Sequence, residues 1–134
     1  MILVAASVDQ LEAYLQGISK AQRDTLEKSW PGPNTWLVPA NKHVPLWISG
    51  GQPTVALRVS AHPVIQALCE GFGAVIVSTS ANISGKRAAR SLLEVQLQFS
   101  APAAEHVTLV PGSLGDQDKP TTIRDLVTGK IVRS

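Results

Sequence analysis

The stretch that decides the fold is Val77-Ser78-Thr79-Ser80-Ala81-Asn82-Ile83-Ser84-Gly85. The apolar run that leads into it, residues 74–77, predicts a buried β-strand that opens directly into a turn of small polar residues. Backbone N–H groups in such a turn converge on an anion, and hydroxyl and amide side chains add uncharged donors. The stretch lacks the G-x-x-x-x-G-K-[ST] spacing of a phosphate-binding P-loop. Its residues therefore leave two interpretations open: an anion-binding turn, or a polar turn that caps the next helix.

Length and composition fit one soluble domain. The chain has 134 residues, of which 44% are hydrophobic and 16% are charged, and this is enough to bury a core. A net charge of +2 is too small to indicate nucleic-acid binding by itself. The single cysteine, Cys69, excludes an intrachain disulfide and is typical of a reducing compartment. The apolar residues 1–6 are too few to span a membrane and follow no basic segment, so we expect a cytoplasmic protein with no membrane partner.

Predicted strands and helices alternate along the rest of the chain, and this alternation is typical of an α/β fold. Strands are predicted at residues 2–5, 35–38, 54–59, 74–77, 107–110, 121–126 and 130–132. A first helix is predicted at residues 8–16 with Ser7 as its cap, and a second runs from Ser19 to Lys28 with a Ser19–Gln22 capping box. A third is predicted from Ser60 to Glu70 with Pro63 in its first turn, and a fourth from Ser91 to Phe99 with a Ser91–Glu94 capping box. Residues 41–53 and 111–120 are predicted loops. Several short links between strands favour a mixed sheet.

Four cations could take part in binding. Arg58 lies near the end of an apolar strand, where a guanidinium is costly to desolvate unless it pairs with an anion. An arginine at a strand end that reaches solvent explains the pattern equally well. Lys86, Arg87 and Arg90 follow the central turn and could attract a polyphosphate or an RNA backbone, although such groups are more often a solvated face. The three histidines are far apart in sequence and predict no metal site, and neither paired carboxylates nor a nucleophile elbow occur.

Four blocks of this sequence, in order, resemble the signatures of the YrdC-type threonylcarbamoyl-AMP synthase family. They are Ser29-Trp30-Pro31-Gly32-Pro33-Asn34-Thr35, similar to W-P-G-P-x-T; Thr54-Val55-Ala56-Leu57-Arg58-Val59, similar to T-x-A-[LV]-R-[VI]; Ser78-Thr79-Ser80-Ala81-Asn82-Ile83-Ser84-Gly85, similar to S-T-S-A-N-x-S-G; and Thr121-Thr122-Ile123-Arg124-Asp125 with Ile131-Val132-Arg133, similar to S-T-I-x-D and [IL]-x-R. The third block is the most specific. The resemblance runs from Ile2 to Arg133 and is to the short, single-domain bacterial members.

The resemblance implies a fold and an activity. The fold would be a twisted, mixed and mostly antiparallel sheet, flanked by helices, around a concave basic cavity. The activity would be ATP-dependent formation of L-threonylcarbamoyladenylate from L-threonine, bicarbonate and ATP, with Mg²⁺ bridging the phosphates. The product would serve the threonylcarbamoyladenosine modification of tRNA. Implied partners are tRNA, as double-stranded RNA, and the tRNA threonylcarbamoyl-transferase machinery.

The resemblance also implies roles for individual residues. The ATP-binding residues would be Thr54, Ser80, Asn82 and Arg133, with Asn82 shaping the central turn. The threonine-binding residues would be Arg58 and Ser78. An RNA or phosphate surface would comprise Lys86, Arg87 and Arg90. These roles suit adenylation, which needs positioning and charge neutralisation more than a covalent nucleophile.

The sequence departs from the family pattern at its start. Members carry a P-T-E-T-x-Y-G-L-G segment and a K-x-R motif before the strand that matches residues 2–6, and this sequence contains neither. We therefore expect residues 1–134 to be one such domain that is incomplete at its N-terminus, with catalytic residues that this chain does not identify. An unpaired sheet edge would favour self-association. Two alternatives stay open: a non-catalytic module that binds RNA or a nucleotide, and a carbamoyl-transfer domain of the hydrogenase-maturation type, which shares the S-A-N-x-S-G turn.

Overall fold

A computed structural model describes residues 1–99, 107–113 and 121–133, which divide into two compact units. The first contains Met1–Ser78 with residues 121–133, and the second contains residues 79–99 and 107–113. The strands are β1 (Ile2–Ala5), β2 (Asn34–Pro39), β3 (Thr54–Val59), β4 (Ile76–Ser78), β5 (Thr122–Asp125) and β6 (Ile131–Arg133). The helices are a 3₁₀ helix (Asp9–Leu11), α1 (Lys20–Ser29), α2 (Leu46–Ser49), α3 (Pro63–Phe72) and α4 (Leu92–Gln98). All six strands belong to the first unit, and α4 belongs to the second.

The strands form one mixed sheet in the order β4-β1-β3-β2-β5-β6. The pairs β1–β3 and β2–β5 are parallel, whereas β1–β4, β2–β3 and β5–β6 are antiparallel. The predicted mixed, mostly antiparallel sheet is therefore confirmed. The short strands β4 and β6 form its edges, and self-association through an edge stays a prediction.

One face of the sheet is the hydrophobic core. One row of paired residues crosses the sheet from β4 to β2 and consists of Val77, Leu3, Leu57 and Trp36. Leu57, in the middle of the sheet, is 0% exposed. Alternation along each strand brings further apolar side chains to the same face. This core comprises Leu3, Ala5, Trp36, Val38, Val55, Leu57 and Val59 from the strands, packed against Leu11, Leu15, Leu26, Trp30 and Ile48. The alternate side chains of each strand therefore lie on the opposite face, which we call the non-core face.

Helix α1 begins at the predicted capping box. The N–H of Gln22 donates to the Ser19 hydroxyl at 3.2 Å, and the N–H of Ser19 donates to Oε1 of Gln22 at 2.8 Å. Each bond satisfies a backbone donor that the first helical turn leaves unpaired. The helix buries Leu26 in the core and ends where Trp30 takes an extended conformation ahead of Pro31.

The predicted helix over residues 8–16 is wrong. Only a 3₁₀ helix forms there, and its cap position is Val8, without the side-chain bond expected of Ser7. The carbonyls of Val8, Asp9 and Leu11 instead accept hydrogen bonds from N–H groups three residues later, which is the 3₁₀ pattern. Nδ2 of Asn41 donates to the carbonyls of Ala13, Tyr14 and Gln16, which follow the 3₁₀ helix. The apolar pattern nevertheless reported burial correctly, since Leu11 and Leu15 lie in the core.

Two other predicted boundaries also need correction. Helix α3 has His62 at its N-cap position, and Ser60 instead accepts a hydrogen bond from the His62 N–H at 3.1 Å. The predicted loop 41–53 contains the one-turn helix α2, whose Ile48 is anchored in the core while Gly50 ends it at φ +62°. The left-handed conformation at this position favours glycine.

The strand predicted before the central turn is an edge strand rather than a buried one. It forms at Ile76–Ser78, and Val77 is 41% exposed because β4 has a neighbour on one side only. The strand predicted at 107–110 is wrong: those residues form no strand, and Val107 and Val110 are exposed. Of the predicted loop 111–120, residues 111–113 are irregular and exposed, and the others lie outside the described residues. No helix in the described ranges is long and apolar enough to cross a bilayer.

Candidate functional site

The sheet face opposite the core brings together three of the predicted ligand-binding residues. Ile2 in β1 lies opposite Ala56 in β3 on one side and opposite Ser78 in β4 on the other. Directly opposite residues point to the same face, and side chains alternate along a strand. Thr54 and Arg58, two positions either side of Ala56, therefore share the face with Ser78. Strands β3 and β4 are two strand spacings apart, or about 10 Å, and a small ligand fits across that distance.

Arg58 is the charged group on this face. It is partly buried, and its Nε is fully buried without a hydrogen-bond partner among the described residues. Burial lowers the pKa of the guanidinium, because desolvation disfavours the charged form. A desolvated cation without an anion is costly in a folded protein. Of the two interpretations of Arg58, the geometry therefore favours a cation kept ready for a carboxylate or phosphate.

The W-P-G-P turn lies at the end of the strand that carries Arg58. The Gly32 N–H donates to the carbonyl of Val59 at 2.9 Å, one residue beyond Arg58. Nδ2 of Asn34 donates to the Ser29 carbonyl at 3.2 Å and fixes the other side of the turn. A Cβ at Gly32 would lie 3.1 Å from that same carbonyl oxygen, so a larger residue here would force the turn to shift by a few tenths of an ångström. The W-P-G-P turn of the first motif block is thus bonded to the end of strand β3, which is the second motif block.

The last motif block is joined to the first by a pair of hydroxyls. Thr35 is 0% exposed, and its Oγ1 lies 3.0 Å from Oγ1 of Thr121. Ile123 lies opposite Thr35 in β2 and opposite Arg133 in β6. Arg133 is exposed, three strand spacings from β3, or about 14 Å. Sequence reasoning missed the Thr35–Thr121 pair, although both residues lie within the quoted motif blocks.

In the second unit, Asn82 organises the central turn from within. Its Nδ2 donates to the carbonyls of Ile83 at 3.1 Å and Lys86 at 3.0 Å, and its N–H donates to the Ser80 carbonyl at 3.0 Å. Gly85 has φ +80°, a left-handed conformation that lets the chain reverse. Both amide hydrogens of Asn82 are used inside the loop. This geometry fits the implied role of shaping the turn better than direct donation to a ligand.

The three cations after the turn lie beside helix α4. An amino group of Arg87 lies 3.6 Å from a carboxylate oxygen of Glu94, and the Arg87 side chain is 81% exposed. The same carboxylate accepts the N–H of Arg90, and the Glu94 N–H donates to the Ser91 hydroxyl at 3.1 Å. The predicted capping box is thus half formed, because the carboxylate bonds Arg90 rather than Ser91. Lys86, Arg87 and Arg90 are exposed and accessible to an anion.

Helix α4 also supplies a polar side chain that the motifs did not predict. Gln98 accepts from the Ile83 N–H at 3.3 Å through Oε1 and donates to the Arg87 carbonyl at 3.0 Å through Nε2. Both bonds span more than ten residues of sequence, so no local pattern could have indicated them. The central turn is therefore bonded by Asn82 from within the loop and by Gln98 from helix α4.

The first unit is an α/β sheet whose non-core face combines a desolvated cation with hydroxyl groups. A desolvated cation beside hydroxyl groups has the chemistry that binds a carboxylate or a phosphate.

The chain belongs to the Sua5_yciO_yrdC family. The model of that family, described as "Telomere recombination", matches residues 1–134. A threonylcarbamoyl-AMP synthase of Alkalilimnicola ehrlichii is 48% identical over 134 residues, which are 100% of this chain and 70% of that protein.

Solved structures share the fold. P. abyssi Sua5 complexed with L-threonine matches with a TM-score of 0.83 and 32% identity, over 97% of this chain and 37% of Sua5. E. coli YciO matches with a TM-score of 0.79 and 27% identity, over 98% of this chain and 64% of YciO. The chain thus spans just over a third of Sua5 and just under two thirds of YciO, and the predicted family and fold are confirmed. The extent of the domain and its completeness stay predictions.

Proposed function

We propose that the chain catalyses the ATP-dependent formation of L-threonylcarbamoyladenylate from L-threonine and bicarbonate. The names of its relatives support this function, as does the likeness to a Sua5 that binds L-threonine. The observation that carries the proposal is the Nε of Arg58, which is buried on the non-core face of the sheet without a hydrogen-bond partner in the part of the chain that the structure describes. A small molecule with a carboxylate, such as threonine, supplies the missing counter-charge.

The reaction divides into two balanced steps. The neutral amine of threonine attacks bicarbonate, forming a C–N bond and releasing water, and leaves a threonine carbamate. A carbamate oxygen then attacks the α-phosphate of ATP, forming an O–P bond while the bond to pyrophosphate breaks. Both steps join anionic reactants, so the main tasks of the protein are to hold them close together and to offset their charge.

Each group of residues takes one part of this task. Arg58 and Ser78 bind threonine, with the guanidinium on its carboxylate and the hydroxyl as a further hydrogen-bond partner. Thr54 and Arg133 bind ATP from the sheet. In the second unit, Ser80 binds ATP within the turn that Asn82 shapes. The exposure of Ser80 and Arg133 supports this assignment, because both side chains are accessible to a ligand.

Mg²⁺ is expected to arrive with the nucleotide. The described ranges contain no group of three or more His, Cys, Asp or Glu side chains that could hold a metal ion. Mg²⁺ keeps several water ligands and is commonly bound through substrate phosphates. When bound, it would neutralise charge on the pyrophosphate leaving group, while the protein cations act on the remaining oxygens.

The product is a reactive adenylate, and a transferase that acts on tRNA would consume it. Lys86, Arg87 and Arg90 are then the surface we propose for an RNA backbone or for the phosphates of the nucleotide. Because tRNA modification is an intracellular reaction and Cys69 is a free thiol, we expect the protein to work in the cytoplasm.

An assay of pyrophosphate release tests the proposed function. The chain is incubated with ATP, Mg²⁺, bicarbonate and L-threonine, and the product is identified by mass spectrometry. We expect release that depends on threonine and bicarbonate, together with the mass of threonylcarbamoyl-AMP. Nucleotide binding without release would instead favour the non-catalytic module, and release driven by carbamoyl phosphate rather than threonine would favour carbamoyl transfer. Either result would overturn the proposal.

A further inference from the structure

Gln98 lies at the end of α4 and outside all four motif blocks, yet it joins the helix to the central turn. Its side-chain oxygen accepts the Ile83 N–H at 3.3 Å, and its side-chain nitrogen donates to the Arg87 carbonyl at 3.0 Å. Ile83 and Arg87 flank the chain reversal at Gly85, whose φ is +80°. One amide therefore bonds the backbone on both sides of this reversal.

The turn that Gln98 holds is otherwise closed on itself. The Ala89 N–H donates to the Ala81 carbonyl at 2.9 Å and closes the base of the loop. Asn82 bonds the carbonyls of Ile83 and Lys86 from inside. These bonds fix the loop's own shape but attach it to nothing else. Gln98 attaches the loop to α4 through two side-chain hydrogen bonds, and the exposed ion pair between Arg87 and Glu94, at 3.6 Å, also joins the loop to this helix.

We propose that Gln98 is a positioning residue for the nucleotide. This inference rests on the proposed function, in which Ser80 of the same turn contacts ATP. A loop that is held less firmly in its binding conformation binds its ligand more weakly, because binding must then order the loop. The amide oxygen and nitrogen of Gln98 both bond the backbone of the loop, so we assign the side chain to positioning rather than to contact with a reactant. Its loss would therefore weaken nucleotide binding while the threonine-binding residues, which belong to the other unit, stay unchanged.

The test compares Gln98→Met with Gln96→Met. Methionine keeps the length of the side chain and removes both hydrogen bonds. Gln96 is an exposed residue of the same helix whose side chain makes no hydrogen bond to the described residues, so its variant controls for the loss of an amide from α4. Loss of two modest hydrogen bonds predicts a rise of about three- to tenfold in the KM for ATP. For Gln98→Met the kcat and the KM for threonine stay near wild type, and Gln96→Met changes none of these values.

A conservative variant separates positioning from a general loss of structure. Gln98→Glu keeps an oxygen for the Ile83 N–H but loses the donor to the Arg87 carbonyl, so its KM for ATP should lie between wild type and Gln98→Met. Hydrogen exchange should accelerate in residues 81–89 of Gln98→Met and not in the strands of the sheet. Equal KM values for Gln98→Met and Gln96→Met, or exchange that accelerates throughout the chain, would overturn the inference.

The two proposals can fail separately. Absence of pyrophosphate release in the wild type would defeat the proposed function. The role of Gln98 would then be judged by calorimetric titration with Mg·ATP, where the dissociation constant of Gln98→Met should exceed that of Gln96→Met by the same factor. Equal dissociation constants would refute it.

Discussion

Replacing Arg58 by methionine should stabilise the protein and abolish threonine binding. Among the described residues, the Nε of Arg58 is buried without a hydrogen-bond partner and no carboxylate pairs with the guanidinium, so its charge is desolvated without compensation from them. Methionine retains an unbranched apolar side chain and removes the charge. A residue that lowers stability and is still needed for binding is typical of a functional site. The two effects have opposite signs, so one variant tests both parts of the argument.

The size of the stabilisation follows from the burial of Arg58. Burying an unpaired ion completely costs several kcal/mol. Arg58 is only partly buried, which leaves part of the guanidinium hydrated. A remaining penalty of about 1 kcal/mol is therefore reasonable. For a chain of 134 residues, that free energy raises the melting temperature by about 3–5 °C.

Differential scanning calorimetry and threonine titration measure the two effects. Arg124→Met is the matched control, because Arg124 is an exposed arginine on a strand of the same sheet. We expect no change in melting temperature above about 1 °C for the control, in keeping with the small effects of surface substitutions. A melting temperature of Arg58→Met well below wild type would refute the reasoning, because it would mean that the arginine has a structural partner. Unchanged threonine binding would refute it equally.

Three further predictions concern the framework of the site. Leu57→Ala should lower the free energy of unfolding by about 2–5 kcal/mol in urea denaturation without changing ligand affinity in native buffer, because Leu57 is 0% exposed on the core face. Hydrogen bonds from Thr128 lower the pKa of Asp125 in the folded protein. The ionised Asp125 carboxylate therefore stabilises the fold above the ordinary carboxyl pKa of about 4, and this stabilisation is lost as the pH falls through the lower pKa of the folded state. Melting scans from pH 2 to 6 should show this loss in wild type and less of it in Asp125→Asn. Gly32→Ala should weaken threonine binding in a titration, because its Cβ would lie 3.1 Å from the Ser29 carbonyl oxygen; an unchanged affinity would show that the turn tolerates the shift.

The elements that sequence patterns predicted well depend on contacts within a few residues. The capping box at Ser19 and the strand 54–59 both formed as expected, because each depends on local bonds or on a local apolar run. The helix predicted over 8–16 is wrong because Leu11, Glu12 and Tyr14 bond carbonyls three rather than four residues back. The carbonyls that follow bond Asn41, which lies 25 to 28 residues away in sequence. Apolar periodicity thus predicted correctly which residues of 8–16 are buried, but it did not predict the backbone hydrogen bonds.

The arrangement of the candidate site could not be predicted without the order and register of the strands in the sheet. Sequence reasoning left Arg58 undecided between solvent and a ligand, since no strand pattern reveals which face of a sheet is covered. The register of β1 with β3 and β4 shows that Arg58 and Ser78 lie on the face opposite the core, while the role of Arg58 in binding stays a prediction. The roles of Thr35 and Gln98 depend on bonds across 86 and 11 to 15 residues of sequence, beyond the range of any motif.

Calorimetric titration with L-threonine tests the central claim most directly, namely that the non-core face of the sheet binds the amino acid through Arg58. The wild type and Arg124→Met should bind threonine with the same affinity, and Arg58→Met should show no heat of binding although it melts at a higher temperature. Equal binding by wild type and Arg58→Met, or no binding by the wild type with or without Mg·ATP, would contradict the account.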